Sequence, residues 1–157
     1  METFKDYYHN EVTLSFMDHP FSADPKHVWV ICRFQDMWLL TEHGDRGYEF
    51  PGGKVEKGED SKTAACREVK EETGGIVQRL VYIGQYKVIG KEKIIIKNIF
   101  FAKVNQIIKQ PSYYETKGPV LLDKLPNDIK QNPKFSFIMK DDVLNRSMQK
   151  LYEYHLV

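Results

Sequence analysis

Three glutamates in one segment have the spacing i, i+3 and i+4: Glu68, Glu71 and Glu72. Residues 62–72 contain no glycine or proline, Ser61 can cap a helix N-terminus, and Gly74 stands where a C-terminal cap belongs. At about 100° per residue, the three carboxylates share one helix face. Like charges at this spacing cost a helix about 0.2–0.5 kcal/mol per pair. A hard divalent cation, which prefers carboxylate oxygen, would offset that repulsion.

A solvated helix face is the more common explanation of an isolated acidic run, but the wider spacing argues against it here. Seven positions with fixed separations are Gly53, Glu59, Arg67, Glu68, Glu71, Glu72 and Gly74. Residues of these types, each present at roughly 5–7%, coincide by chance at about 10⁻⁹ per starting point. The pattern resembles the Nudix box, and YEFPGG at residues 48–53 resembles the strand and glycine turn that lead into it.

This resemblance implies an α/β protein with the Nudix fold, an α/β/α sandwich around a mixed β-sheet, and residues 1–157 are expected to form a single domain. Nudix hydrolases cleave a nucleoside diphosphate linked to another group, using water and Mg²⁺ or Mn²⁺. The implied metal ligands are the carboxylates of Glu68, Glu71 and Glu72 and the carbonyl of Gly52. Arg67 and Glu59 would orient and neutralise the acids, and Gly53 would let the backbone approach a phosphate. The chain departs from the family pattern after the helix, where Gly75 replaces the usual aliphatic residue.

Members of the MutT branch bring one further acid from a loop later in the chain. By order and spacing Glu115 is the first candidate for this catalytic acid and Glu92 the alternative. Tyr113 and Tyr114 could stack on a base, although half-buried packing is expected for at least one of them.

Two further candidates for substrate binding have simpler alternatives. Lys97, inside a predicted strand, could bind a phosphate as a point charge, or it could protect a strand edge. Asn132 could bind a purine through its amide, or it could form a turn.

Apolar and β-branched runs predict strands at 11–17, 27–34, 38–40, 80–89 and 94–104, with a hairpin turn at 90–93. Residues 41–47 are expected to form a polar loop and residues 120–122 a short strand or the start of a helix. A helical segment is expected from Leu125 onwards and a final amphipathic helix at 139–154. Cys32 and Cys66 are expected to be buried thiols, and Ala64 to leave space on the acidic face.

The composition describes an ordinary globular protein. Hydrophobic residues make up 41%, charged residues 29%, and the net charge is +1, so no broad nucleic-acid or membrane surface is indicated. The N-terminal residues lack an apolar signal core and no run approaches the length of a membrane span. We therefore expect a cytoplasmic protein with no membrane contact and no obligatory protein partner.

Similarity to nucleoside triphosphatases of the MutT branch extends beyond the box, through KHVWVICRF, GQYKV, YYETKGPV and KFSFIMKD. It implies hydrolysis of (deoxy)nucleoside triphosphates, including oxidised purines such as 8-oxo-dGTP, to monophosphate and pyrophosphate. Related enzymes remove pyrophosphate from triphosphorylated RNA 5′ ends, and the sequence does not choose between these substrates. A non-catalytic nucleotide-binding regulator is a third possibility, but such modules usually lose box carboxylates that this chain retains.

Overall fold

The computed structural model describes residues 1–157, which fold into one sheet with helices on both faces. The strands are β1 (Glu2–Lys5), β2 (Glu11–Ser15), β3 (His27–Phe34), β4 (Met37–His43), β5 (Gly47–Glu49), β6 (Gly52–Lys54), β7 (Gly75–Ile89), β8 (Ile94–Ile107) and β9 (Thr116–Leu122). The helices are α1 (Ser61–Thr73) and α2 (Asp142–Glu153), and short 3₁₀ turns occupy Ile129–Gln131 and Phe137–Met139.

The sheet is mixed, with strand order β1-β2-β7-β8-β3-β4-β5, while β6 pairs with β3 and β9 pairs with β4. Only β3 and β8 run parallel, with His27 opposite Lys97 and Phe34 opposite Val104. This pair lies at the centre of the sheet, where the continuous apolar run of β3 predicted a strand covered on both faces.

Alternate residues of β3 enter two separate cores. Val28 and Val30 pack in a cluster with Val69 of α1, whereas Trp29 and Ile31 pack in a larger cluster with apolar residues of α2. A strand has a side-chain period of two, so one helix covers each face. The predicted α/β/α sandwich is confirmed.

Helix α1 spans the predicted residues, but its N-terminal cap is Asp60 and not Ser61. The Asp60 side chain accepts a hydrogen bond from the Thr63 amide. Gly74 is the expected C-terminal cap, with φ of 75°, and a Cβ there would lie 2.1 Å from the Ile108 carbonyl oxygen. Gly75 also fits this tight junction, because a Cβ would lie 3.1 Å from a Val69 methyl carbon.

The phase of α1 differs from the sequence expectation in two residues. Ala64 is fully buried with Ala65 in the core cluster below α1, so it does not leave space on the acidic face. Cys66 is exposed, whereas Cys32 is buried as expected. Successive residues lie about 100° apart on an α-helix, so Cys66 faces solvent although its neighbour Ala65 is buried.

Other segments also differ from expectation. Strand β4 continues through His43 and β5 begins at Gly47, so the expected loop at 41–47 shortens to residues 44–46. The segment after Leu125 contains only 3₁₀ turns before α2. Residues 120–122 belong to β9, and the hairpin at Gly90 is confirmed by the hydrogen bond from its amide to the Lys93 carbonyl. Neither helix is long and apolar enough to cross a membrane.

Candidate active site

The acidic face of α1 forms one wall of a cavity of about 490 Å³. The glycine turn before the box and the loop before β9 provide the other walls. The lining residues are His43, Arg46, Gly52, Gly53, Lys54, Glu56, Arg67, Glu68, Glu71, Glu72, Tyr114, Glu115 and Thr116. The structure therefore brings together most of the residues that the sequence assigned to a site.

Arg67 is the centre of the ionic contacts in this cavity. Its Nε and Nη2 donate to the two carboxylate oxygens of Glu59 at 2.8 and 2.9 Å, a bidentate arrangement. Its Nη1 donates to Glu68 at 2.8 Å and to Glu71 at 3.1 Å, and Nη2 also reaches the Lys54 carbonyl at 3.0 Å. One guanidinium thus donates hydrogen bonds to three carboxylates and forms a longer ion pair, at 3.6 Å, with a fourth, Glu56.

Two acids that contact Arg67 have pKa values shifted in opposite directions. Its hydrogen bonds, followed by one from the Glu56 amide, lower the pKa of Glu59 to about 2. At Glu71, burial and the neighbouring Glu68 carboxylate raise the pKa in spite of Arg67. Glu59 therefore serves as the fixed counter-charge of Arg67, whereas Glu71 retains unbalanced negative surroundings.

Glu72 is the most buried acid of the cluster, with 8% of its surface exposed. Burial, followed by the adjacent Glu68 carboxylate, raises its pKa well above the ordinary range, while a hydrogen bond from the Gly52 amide at 3.2 Å opposes this shift. Two carboxylates at such close range require a shared proton or a cation.

The glycine turn is needed because other groups occupy the space of its side chains. A Cβ on Gly53 would lie 2.6 Å from the Glu68 Oε1 atom, and a Cβ on Gly52 would lie 2.5 Å from the Val28 carbonyl oxygen. The backbone of β6 therefore lies directly against the acids of α1, and the expected approach of Gly52 and Gly53 to an ion or phosphate stays a prediction.

The donor set suits a hard divalent cation. Glu68, Glu71 and Glu72 supply carboxylate oxygens and Gly52 a carbonyl oxygen to the cavity, and such oxygens are the ligands of Mg²⁺. These side chains are not arranged as a preformed ligand set, since no group of three or more His, Cys, Asp or Glu has that geometry. Arg67 holds Glu68 and Glu71 instead. The chemistry of these residues fits a divalent cation, and their assignment as its ligands stays a prediction.

His43 and Glu115 also line this cavity. The Nδ1 atom of His43 accepts hydrogen bonds from the amides of Asp45 and Arg46 at 3.2 and 3.3 Å. Because Nδ1 is an acceptor, the proton of the neutral ring lies on Nε2, which is 4.0 Å from a Glu115 oxygen. The Glu115 side chain is 87% exposed. His43 thus presents an N–H donor to the cavity beside the candidate loop acid.

Arg46 is held by Glu49 through two hydrogen bonds of 3.0 Å, from Nε and Nη2. The Glu49 side chain is nearly buried, so this bidentate pair fixes the guanidinium at the edge of the cavity. Arg46 adds positive charge to the cavity that the acids of α1 line.

Of the two loop acids, only Glu115 lies in this cavity. Glu92 and Lys97 line a second cavity of about 460 Å³, on the face of the sheet that α2 covers. Burial lowers the pKa of Lys97, and the Asp141 carboxylate partly counteracts this. Lys97 is therefore not beside the box acids, and any role with substrate would be at a separate position.

Asn132 lies outside both cavities. Its Oδ1 accepts from the Lys134 amide and its Nδ2 donates to Asp128, contacts within its own turn. The turn-forming alternative is thus the one that the structure favours. Tyr114 does line the acidic cavity and is 73% exposed, whereas Tyr113 packs on Gly118, where a Cβ would lie 2.9 Å from its ring.

Sequence reasoning did not identify His43, Arg46 or Glu49 as parts of the site. The only local signal was the cluster of polar residues TEHGDRG directly before the glycine turn. The end of the strand before the glycine turn lies next to that turn. His43 was missed because this strand was expected to end at Leu40, three residues earlier.

Comparisons with known proteins agree with this geometry. A family model described as the NUDIX domain matches residues 22–133. A protein of Bacillus subtilis (strain 168), YtkD, named provisionally as an 8-oxo-dGTP diphosphatase, is 65% identical over 153 residues, which cover 98% of this chain and 97% of YtkD.

Solved structures show the same relationship. The crystal structure of the Bacillus subtilis pyrophosphohydrolase BsRppH, determined as a glutamate-to-alanine mutant, has a TM-score of 0.97 and 64% identity and covers 98% of both chains. A NUDIX hydrolase from Nitrosomonas europaea shares the fold at a TM-score of 0.58, with 21% identity over 85% of this chain and 89% of that one. The box, the fold and these matches together establish that the chain belongs to the Nudix family of hydrolases.

Proposed function

We propose that this protein hydrolyses (deoxy)nucleoside triphosphates to the monophosphate and pyrophosphate, with 8-oxo-dGTP among its substrates. The observation that supports this most directly is the convergence of Glu68, Glu71 and Glu72 on one cavity with Arg67 and Glu115. The protein is a Nudix pyrophosphohydrolase that acts on phosphoric anhydrides. What we propose is the identity of the group attached to the phosphates.

Divalent ions are generally used by this family, and we propose Mg²⁺ or Mn²⁺ here, held by Glu68, Glu71, Glu72 and the Gly52 carbonyl. Such an ion neutralises phosphate charge and helps to position the attacking water. Arg67, held by Glu59, keeps Glu68 and Glu71 in place. Glu115 would accept a proton from water, which its 87% exposure supports.

The positive side of the cavity would bind the phosphates. His43, whose Nε2 carries the proton, and Arg46 line the same cavity as the acids. Charged donors of this kind stabilise phosphate oxygens. Tyr114, exposed at the rim, is placed to contact the base or sugar of the same nucleotide.

A second substrate class, the triphosphorylated 5′ end of RNA, is supported by a separate observation. The Arg46 guanidinium lies 5.9 Å from the Phe137 ring centroid, and Phe137 lines the second cavity together with Lys97. A substrate longer than a mononucleotide can extend from the acids to Lys97. BsRppH is described as a pyrophosphohydrolase, which agrees with either substrate class.

Pyrophosphate release from dGTP, 8-oxo-dGTP and a triphosphorylated RNA, compared at equal concentrations with Mg²⁺ or Mn²⁺, tests the proposal. Faster turnover of the nucleotides indicates an enzyme of the nucleotide pool, and faster turnover of RNA indicates a 5′-end processing enzyme. If none of the three substrates is hydrolysed although the protein still binds metal, both proposed activities are contradicted. A non-catalytic nucleotide-binding regulator is then favoured.

Two nearly isosteric variants test the assigned roles in the same assay. We expect Glu72→Gln to lower turnover by a factor of about 10² or more with little change in fold, because the metal site loses a charge. Glu115→Gln should slow the chemical step while nucleotide binding remains. Glu153→Gln, at the end of α2 and paired only with Lys150, is the control that should keep full turnover.

A further inference from the structure

Three aromatic rings form a continuous series on the surface beyond Arg46. Phe137 contacts Tyr8 with ring centroids 4.9 Å apart, and Tyr8 contacts Tyr7 at 5.2 Å. The Lys140 ammonium lies 5.2 Å from the Tyr7 centroid. Because Arg46 lines the acidic cavity and lies over Phe137, the series leads from the candidate active site to the protein surface.

Tyr7 and Tyr8 are unusually exposed for aromatic residues, at 51% and 60%. They are not on a loose loop. The Asp6 carboxylate accepts hydrogen bonds from the amides of Tyr8 and Asn10 at 2.9 and 2.8 Å and from the Asn10 side chain, and the Asp6 amide donates to the Asn10 carbonyl. The β1–β2 turn therefore holds two large aromatic side chains in a defined position in solvent. Because they are already ordered, a ligand that binds them loses little conformational entropy of the protein.

Exposed aromatic rings next to cationic side chains are the features that bind single-stranded nucleic acid. The net charge of +1 gives no broad basic surface, so such binding must be local. A mononucleotide has a single base and cannot use three rings. The series matches a chain of several nucleotides whose 5′ phosphates lie in the acidic cavity.

We propose that Tyr8 and Tyr7, with Lys140, form a surface that binds the single-stranded RNA downstream of a 5′-phosphorylated end. This inference rests on the second substrate class proposed above. Phe137 and Tyr8 would contact the bases that leave the cavity of Lys97, and Tyr7 would contact the next one, with Lys140 beside the backbone. The surface would select for the length of the RNA and would have no effect on free nucleotides.

The test is a length series measured by two independent methods. Fluorescence anisotropy gives the Kd of 3′-labelled RNAs of two and six nucleotides with a 5′ monophosphate, which is not a substrate for pyrophosphate removal. Pyrophosphate release gives kcat/KM for the triphosphorylated RNAs and for GTP. The variants are Tyr7→Ala, Tyr8→Ala and Tyr8→Phe, and the control is Tyr152→Ala, an exposed tyrosine on α2 with 59% exposure.

Loss of one base–aromatic stack weakens binding by about 5- to 150-fold, and exposed rings should fall near the lower end. We expect Tyr7→Ala and Tyr8→Ala to raise the Kd of the six-nucleotide RNA by about 5- to 20-fold. Tyr8→Phe and Tyr152→Ala should bind as the wild type does, and kcat/KM for GTP should be unchanged in all four variants.

The inference is overturned if the wild type does not bind the six-nucleotide RNA more tightly than the dinucleotide, or if both alanine variants bind it normally. A parallel loss of GTP hydrolysis would also overturn it, because the tyrosines would then support the fold. If RNA binding depends on the tyrosines but no pyrophosphate is released from RNA, only the RNA-processing function is refuted. Release from RNA that is unaffected by the tyrosines would refute only the surface.

Discussion

Replacing Arg67 by alanine is the most direct test of how the acidic face of α1 is held together. The change removes all five hydrogen bonds of the guanidinium. Glu59, Glu68 and Glu71 then face one another without a counter-charge. Their repulsion adds to that of Glu68 and Glu72, which already raises the pKa of Glu72 together with burial.

The expected loss of stability lies between two known limits. Removing one partner of a buried ion pair costs about 3–5 kcal/mol, and breaking an exposed pair costs about 0–1 kcal/mol. The side chains of Arg67, Glu59 and Glu68 are 21%, 11% and 15% exposed, so we expect a loss of about 2–3 kcal/mol. For a chain of this length, that corresponds to a fall in Tm of about 5–10 °C. Arg67→Lys keeps the charge but not the planar fork, so about half of this loss is expected.

Thermal melts in EDTA and in Mg²⁺ measure this effect. Arg146→Ala is the matched control, because Arg146 forms one ion pair, with Glu2 at 2.9 Å, in which both side chains are about half exposed. Its Tm should change by no more than about 4 °C. Mg²⁺ should raise the Tm of Arg67→Ala more than that of the wild type, because the freed acids then have a cation.

If Arg67→Ala and Arg146→Ala have the same Tm in EDTA, the expected loss of stability is refuted. That result would mean that the acids tolerate one another through hydration and that the contacts of Arg67 contribute little. An equal effect of Mg²⁺ on Arg67→Ala and the wild type would refute the second part, that the same acids bind the ion.

Three further predictions concern other parts of the molecule. Gly53→Ala should abolish turnover at nearly unchanged Tm, because its Cβ would lie 2.6 Å from a Glu68 oxygen; normal turnover would contradict this. His43→Asn keeps an acceptor for the turn amides but loses the Nε2 donor, so kcat/KM should fall about tenfold while the Tm is retained; a fall in Tm alone would indicate a structural role. Burial raises the pKa of Asp141 to about 7 from an ordinary 3.8, with Lys97 opposing the shift. Its contribution to stability is therefore complete below about pH 4 and is lost as pH rises through 7, so the difference in Tm between wild type and Asp141→Asn should change over that range and be constant above it.

The extent of α1 and the identity of its acids were predictable because both depend on local sequence. Helix periodicity places Glu68, Glu71 and Glu72 on one face wherever the helix lies, and Gly74 ends it through a left-handed conformation that glycine adopts readily. The cap at Asp60 was missed because aspartate and serine, one residue apart, are equally good N-caps. Such boundaries are decided by the loop that enters the helix.

The remaining site residues were harder to predict because long-range strand register positions them. His43 pairs with both Gly47 of β5 and Thr116 of β9, and the register between β4 and β9 shifts between Thr41 and His43. That irregularity brings Glu115 to the acidic cavity. No local pattern in the sequence indicates a register shift between strands more than seventy residues apart.

Register also explains why Glu115 and Glu92 were not separable by sequence order. Both follow a strand and both are exposed acids in a loop, but the β7–β8 hairpin takes Glu92 to the second cavity, beside Lys97. The same central pairing places Lys54 opposite His27 and His27 opposite Lys97, so Lys54 and Lys97 are about 10 Å apart across the sheet. The acidic cavity and the second cavity are thus two strands apart. Substitutions at the box acids should therefore affect every substrate, whereas substitutions around Lys97 and Tyr8 should change only which substrate is preferred.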